Sequence, residues 1–176
     1  FLESLCFFIE TAMTREKEKK HLQNLSYVDS LTYAQNRNHF NEYLKKNRCK
    51  ELHFVGVIYL DLNGLKEIND KMGHLAGDTL IISASYVLQE IFADNSYRIG
   101  GDEFVVIEQD VLESEFYSKY EMLLKRMKEL EISVATGYIW KERCLNLSEI
   151  LQAADQKMYE DKKRYYSIAQ KDRRRR

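Results

Sequence analysis

Tyr97-Arg98-Ile99-Gly100-Gly101-Asp102-Glu103-Phe104-Val105-Val106-Ile107 is the stretch on which the fold turns. Residues 97–99 and 104–107 are aromatic and β-branched runs, strand chemistry on both sides of a short connection. A Gly-Gly dipeptide between such runs predicts a tight hairpin, because glycine accepts the positive φ that hairpin turns use. It also lets a phosphate or another backbone approach closely. Asp102 and Glu103 at the tip add hard oxygen ligands suited to Mg²⁺. A metal–phosphate site on a hairpin is the expectation.

Working outward, residues 54–60 form a nearly continuous apolar run, as in a buried strand, and it ends at Asp61. A short helix is expected over 63–70, then a break at Gly73-His74. An amphipathic helix follows over 76–92, with Leu80, Ile81, Ala84, Val87, Leu88 and Ile91 on its apolar face. Beyond the hairpin, a helix over 113–129 turns Phe116, Tyr120, Leu123, Leu124 and Met127 inward. A strand over 132–140 and a helix over 147–164 come next, and residues 165–169 read as a last edge strand. Upstream lies a helix over 36–46, preceded by turn and capping residues at 29–32. The order predicts an α+β protein with a ferredoxin-like βαββαβ core, its central, mostly antiparallel sheet flanked by helices. An N-terminal helix over 1–27 precedes it. Its apolar spacing fits a coiled-coil signalling linker or a helix packed on its own domain.

Bulk properties narrow the classes. At 176 residues the chain suits one domain with a real core. A net charge of −1 gives no overall field for nucleic acid, and Arg173–Arg176, within a basic tail at 171–176, reads as a solvated end. Cys6, Cys49 and Cys144 are far apart without CxxC spacing, which argues against a disulfide framework or zinc site and fits a reducing cytoplasm. The Leu5–Ile9 run is too short to span a bilayer. Starting at Phe1 rather than Met, the chain reads as a piece of a longer protein.

The chemistry gathers in two places. Asp61, leaving a buried strand, can reach the hairpin of a neighbouring strand. The segment from Asp61 to Asp78 is dense in small, amide and acidic residues and can cradle phosphate with backbone N–H groups. Within it an Asn with an Asp suits guanine, whose N1–H and N2–H₂ donate to a carboxylate.

On these residues the sequence resembles the GGDEF domain of bacterial diguanylate cyclases. Arg98-Ile99-Gly100-Gly101-Asp102-Glu103-Phe104 matches the naming signature. Asp61-Leu62-Asn63-x-Leu65-Lys66-x-Ile68-Asn69-Asp70-x-x-Gly73-His74-x-x-Gly77-Asp78 is similar to the second motif. Asp29-x-Leu31-Thr32-x-x-x-Asn36-Arg37 and Ala154-Asp155-x-x-Met158-Tyr159-x-x-Lys162 resemble the opening and closing motifs. The resemblance puts a catalytic domain at 28–170. It implies Mg²⁺ (or Mn²⁺) held by Asp61, the Leu62 backbone carbonyl, Asp102 and Glu103. Asp102 and Glu103 would serve as base toward the attacking 3′-hydroxyl, and Lys66 would stabilise phosphate charge. Asn69 and Asp78 would read guanine, Gly100 and Gly101 would admit the α-phosphate, and Lys162 would contact the triphosphate. The implied reaction is a nucleotidyl transfer by two metal ions, condensing two GTP into cyclic di-GMP and two pyrophosphates. It needs a homodimer, because one domain holds one GTP. A cytoplasmic domain with an upstream sensor or membrane segment, and no nucleic-acid partner, is implied as well. The alternative is a catalytically silent GTP-binding domain that regulates a partner.

Three positions depart from the pattern. Ile91 stands where many members carry the arginine of a product-inhibition site, leaving Asp94 alone. Leu65 replaces a phenylalanine. Tyr166 stands where a second phosphate-contacting arginine is common, with Lys163 and Arg164 as candidate substitutes.

Overall fold

The computed structural model describes Arg15, residues 27–48 and residues 50–174; all of the expected N-terminal helix except Arg15 and Tyr27 lies outside the described residues. In chain order the elements are β1 (Gln35–Asn36), α1 (Arg37–Asn47), β2 (Leu52–Leu62), α2 (Leu65–Met72), α3 (His74–Phe92) and a 3₁₀ turn (Ala93–Asn95). They continue as β3 (Ser96–Arg98), β4 (Glu103–Glu108), α4 (Glu113–Glu129), β5 (Val134–Cys144) and α5 (Leu147–Arg174).

The sheet order is β1-β3-β4-β2-β5. β4 pairs antiparallel with both β2 and β3, and β5 pairs antiparallel with β2. The two-residue β1 adds a parallel partner to β3 at one edge. From β2 to β5 the connectivity is the expected ferredoxin-like core. The unbroken apolar run of β2 has a simple cause: both of its faces are covered. Ile58, Leu60 and Leu62 join Phe104 and Val106 beneath α3 and α4. Val55 and Val57 join Val105 and Ile107 beneath α1 and α5. Alternate residues thus enter alternate cores. Gly56 makes room for the Phe116 ring: a Cβ there would sit 2.2 Å from Phe116 Cδ2. Phe116 is fully buried, a contribution of about 2–3 kcal/mol.

The helix faces follow the sequence periodicity. Ile81, Ala84, Val87 and Leu88 of α3 are buried, as are Phe116, Tyr120, Leu123 and Met127 of α4, and Ile150, Leu151, Ala154 and Met158 of α5. Glu108, at the far end of β4, points to the α4 side and pairs with Lys119 at 2.7 Å.

Two expectations need correcting. Residues 165–169 are not an edge strand. α5 runs on to Arg174 and through the domain boundary expected at 170, because no glycine or proline interrupts it. Gly100 and Gly101 do not adopt positive φ either; the glycines that do are Gly64 (φ 74°) and Gly73 (φ 85°), which cap the two ends of α2. The signature glycines therefore serve by lacking a side chain, not by their backbone freedom.

α5 also lies along β5. A Cβ on Gly137 would sit 2.0 Å from the Ala154 carbonyl oxygen, so helix and strand meet backbone to backbone. Asp161 accepts the Thr136 N–H at 3.1 Å, and the Lys157 ammonium donates to the Tyr138 carbonyl at 3.2 Å.

Candidate active site

Asp61 is the next-to-last residue of β2, opposite Glu103, the first residue of β4. The pairing of β2 with β4 continues one step further, the Leu62 N–H donating to the Asp102 carbonyl at 3.1 Å. Two adjacent strands thereby bring Asp61, Asp102 and Glu103 to one end of the sheet. Asp61 is only 2% exposed. One of its oxygens accepts from the Lys162 ammonium at 2.6 Å, while the other, Oδ1, is buried with no protein partner.

Burial pushes the Asp61 carboxyl above its ordinary range, and the charges of Asp102 and Glu103 push the same way against Lys162. Partial burial opposes the charge of Lys162, but its bond to Asp61 and the charges of Asp61 and Asp102 outweigh this and raise it. The site is thus short of positive charge. Mg²⁺ commonly takes one or two carboxylates and completes its shell with water and substrate phosphates. Among the described residues no group of three or more acidic, His or Cys side chains is placed to hold a metal ion by itself. An orphaned carboxylate oxygen beside like charges is nevertheless the donor set such an ion fits.

The hairpin tip is braced from outside. Arg98 pairs with Asp29 at 2.8 Å and donates to the Gly101 carbonyl at 2.8 Å. Arg37 donates to the Ile99 carbonyl. Asp29 also accepts from the N–H and hydroxyl of Thr32. Burial opposes its ionisation, yet these bonds outweigh it and hold Asp29 below the ordinary carboxylate range. The brace was not legible in the sequence, since a lone Asp in a turn carries no sign of a partner 69 residues away. Glu103 folds over Gly100, where a Cβ would lie 2.5 Å from its Oε2, whereas the space beside Gly101 is open.

Asn69 and Asp78, the pair expected to read guanine, sit on the α2–α3 helical hairpin. Asn69 Oδ1 is buried without a protein partner and abuts Gly77, where a Cβ would stand 2.0 Å from it. Gly77 is thus a requirement of Asn69's position, signalled by a glycine inside an otherwise good helix. Asp78 follows it, half-buried. Lys66 stands exposed on α2 and makes no ion pair among the described residues. Lys163 and Arg164 turn away from Asp61: the Lys163 ammonium lies over the Tyr159 ring, 4.2 Å from its centre, and Arg164 lines a cleft with Tyr120 and Thr136.

The acidic residues thus stand at one end of the sheet, beside the glycine-capped helix α2. The family model "Diguanylate cyclase, GGDEF domain" matches residues 26–166, and the chain belongs to the GGDEF family. The signaling protein YkoW of Bacillus subtilis is 33% identical over 190 residues, covering 96% of this chain and 24% of its own. The probable diguanylate cyclase DgcI of Escherichia coli is 31% identical, covering 84% of this chain and 34% of its own. The chain therefore spans about a quarter to a third of the length of these relatives. In fold it matches the coiled coil and GGDEF domain of DgcB from Caulobacter crescentus, solved with c-di-GMP. The TM-score is 0.67 and the identity 20%, over 92% of this chain and 94% of that one.

Proposed function

We propose that this domain is a diguanylate cyclase that condenses two GTP into cyclic di-GMP with release of two pyrophosphates. The observation that carries the reading is Asp61: a buried carboxylate with one oxygen on Lys162 and one unpartnered, facing Asp102 and Glu103. Asp61, Asp102, Glu103 and the Leu62 carbonyl would hold two divalent ions, Mg²⁺ or Mn²⁺. Their charge would offset the triphosphate and lower the pKa of the attacking hydroxyl.

The chain's own residues supply the rest. Asn69 and Asp78 hold the guanine edge by complementary donors and acceptors. Open space at Gly101 admits the α-phosphate. The 3′-hydroxyl oxygen of one GTP forms a bond to the α-phosphorus of the other, and the bond to pyrophosphate breaks. The hydroxyl proton passes to Glu103 or Asp102. Lys162 and Lys66 balance charge on the departing pyrophosphate. Because one site holds one GTP, two copies face each other during the reaction. GTP as substrate places the domain in the cytoplasm, with an upstream sensor or membrane segment elsewhere in the protein. Intact carboxylates and base-reading residues argue against the silent, regulatory reading.

The test is incubation with GTP and Mg²⁺ at high protein concentration, with cyclic di-GMP resolved by chromatography. Product from the wild-type protein and none from Asp102→Ala is expected; no product from either overturns the reading.

A further inference from the structure

The apolar grip of α5 on the sheet ends at Met158, the last buried residue of that helix among the described side chains. From Tyr159 to Ser167 its side chains are half-buried or exposed. Lys162 lies in this stretch, one turn past the end of the grip, yet its ammonium meets a carboxylate that is almost fully buried. A helix end without buried contacts frays, so apolar packing does not by itself hold Lys162 in place. The residue before it supplies a fixed point. Asp161 accepts the Thr136 N–H at 3.1 Å. Thr136 faces Leu60 across the β5–β2 ladder, one step from the Ala135–Asp61 pair. Two consecutive residues of α5 thus reach two neighbouring strands at nearly the same level of the sheet. Thr136 is itself held, its hydroxyl 2.7 Å from the Tyr120 hydroxyl of α4. Among the described residues of α5 past Met158, Asp161 and Lys162 are the two whose side chains hydrogen-bond to the sheet.

We infer that Asp161 is a positioning residue: its bond to the Thr136 N–H fixes the far part of α5 so that the Lys162 ammonium stands on Asp61. The positioning stands on this geometry, and its effect on nucleotide rests on the proposed GTP site. The role needs an acceptor rather than a charge, and the amide oxygen of an asparagine can accept the same N–H. Thr136 and Asp161 line a cleft with Tyr120, Lys157 and Arg164 that opens to solvent. Water can therefore take over the Thr136 N–H when Asp161 is removed, which leaves the fold intact while Lys162 loses its anchor.

The experiment is competitive labelling of amines with trace acetic anhydride, read lysine by lysine by mass spectrometry, on the wild type, Asp161→Ala and Asp161→Asn. Lys162 should label about five-fold faster in Asp161→Ala, the effect of losing one hydrogen bond that opposes local opening. In Asp161→Asn it should label as in the wild type. Lys119 is the matched control, ion-paired like Lys162 and 28% exposed against 29%, and its rate should not change. An unchanged Lys162 rate in Asp161→Ala overturns the inference, as does an equal rise at Lys119, which marks general loosening. Calorimetry with Mg²⁺ and the non-condensing analogue guanosine 5′-[(α,β)-methyleno]triphosphate carries the test to the site. Asp161→Ala should bind the analogue about ten-fold more weakly, the scale of a misplaced contact. Added to Lys162→Met, it should cost nothing further; a full additional loss shows that Asp161 does not act through Lys162 and overturns the inference. Should the wild type bind no analogue, the proposed GTP site fails, and the labelling still decides the role of Asp161.

Discussion

Asp61 and Glu108 are two versions of one arrangement, placed at opposite ends of the β2–β4 ladder and on opposite faces of the sheet. Each is a buried carboxylate, 2% and 4% exposed. Each takes a lysine from a covering helix, Lys162 at 2.6 Å and Lys119 at 2.7 Å, and each keeps one oxygen without a protein partner. They lie about 17 Å apart along the strands. The difference is in the neighbours. Lys119 is shared only with Glu115, an exposed neighbour one turn away on α4 that water solvates. Lys162 faces Asp61 with Asp102 and Glu103 crowded beside it. One pair fastens a helix to the sheet. The other is left short of positive charge, the condition a metal-bound triphosphate would relieve. Burial and pairing alone do not distinguish a structural ion pair from a working one; the count of unmatched charges does.

The comparison breaks first on activity. Asp61→Asn should lower cyclic di-GMP formation by more than about 10³-fold, since metal-borne charge stabilisation is worth several kcal/mol. Glu108→Gln should stay within about two-fold of wild type, because it lies outside the site. Comparable losses from both would erase the distinction.

Stability provides the next test. Lys119→Met leaves Glu108 buried and unpaired and should cost about 3 kcal/mol in urea unfolding, most of it recovered when Glu108→Gln is added. An additive double variant would show that the pair is not coupled.

The sign then reverses at the other end. The raised Asp61 pKa means that the folded state holds its proton more tightly than the unfolded chain. Its ionisation therefore lowers stability as pH rises from 3.8 through the folded value, and the deficit persists at neutral pH. Asp61→Asn should accordingly unfold later than wild type at pH 7 and lose that pH dependence.

Smallest is the brace outside the site. Asp29 has a lowered pKa, so its stabilisation is present above 3.8 and is lost as pH falls through the folded value. Asp29→Asn should cost about 1 kcal/mol at pH 7 and converge on wild type in acid.

Much of this was legible in the sequence. The βαββαβ order followed from hydrophobic period, and so did the span of α4 at 113–129. Asp61 and the hairpin carboxylates could be placed together because strand-end positions are set by ladder register. The failures have physical reasons. Residues 165–169 looked like strand because Tyr-Tyr-Ser-Ile is β-prone, but propensity yields to a helix already nucleated and docked from Leu147 onward. Gly100-Gly101 looked like a positive-φ turn, whereas the four-residue connection 99–102 needs no such angle. The Asp29–Arg98 and Glu108–Lys119 pairs carry no local signal, since each joins residues that only the finished sheet brings together.

The embrace of β5 by α5 has a consequence for assembly. Strands left open at a sheet's border invite another chain to extend the sheet. Here Asp161 and Lys157 already occupy an outward N–H and an outward C=O of β5, Lys141, Glu142 and Arg143 put charge along its remainder, and the opposite border ends in a strand of two residues. Extension of the sheet by a second copy is thereby disfavoured along both borders. Were two copies to face each other, they would meet through loops and helices, a mode of encounter that can be made and broken while each fold stays intact.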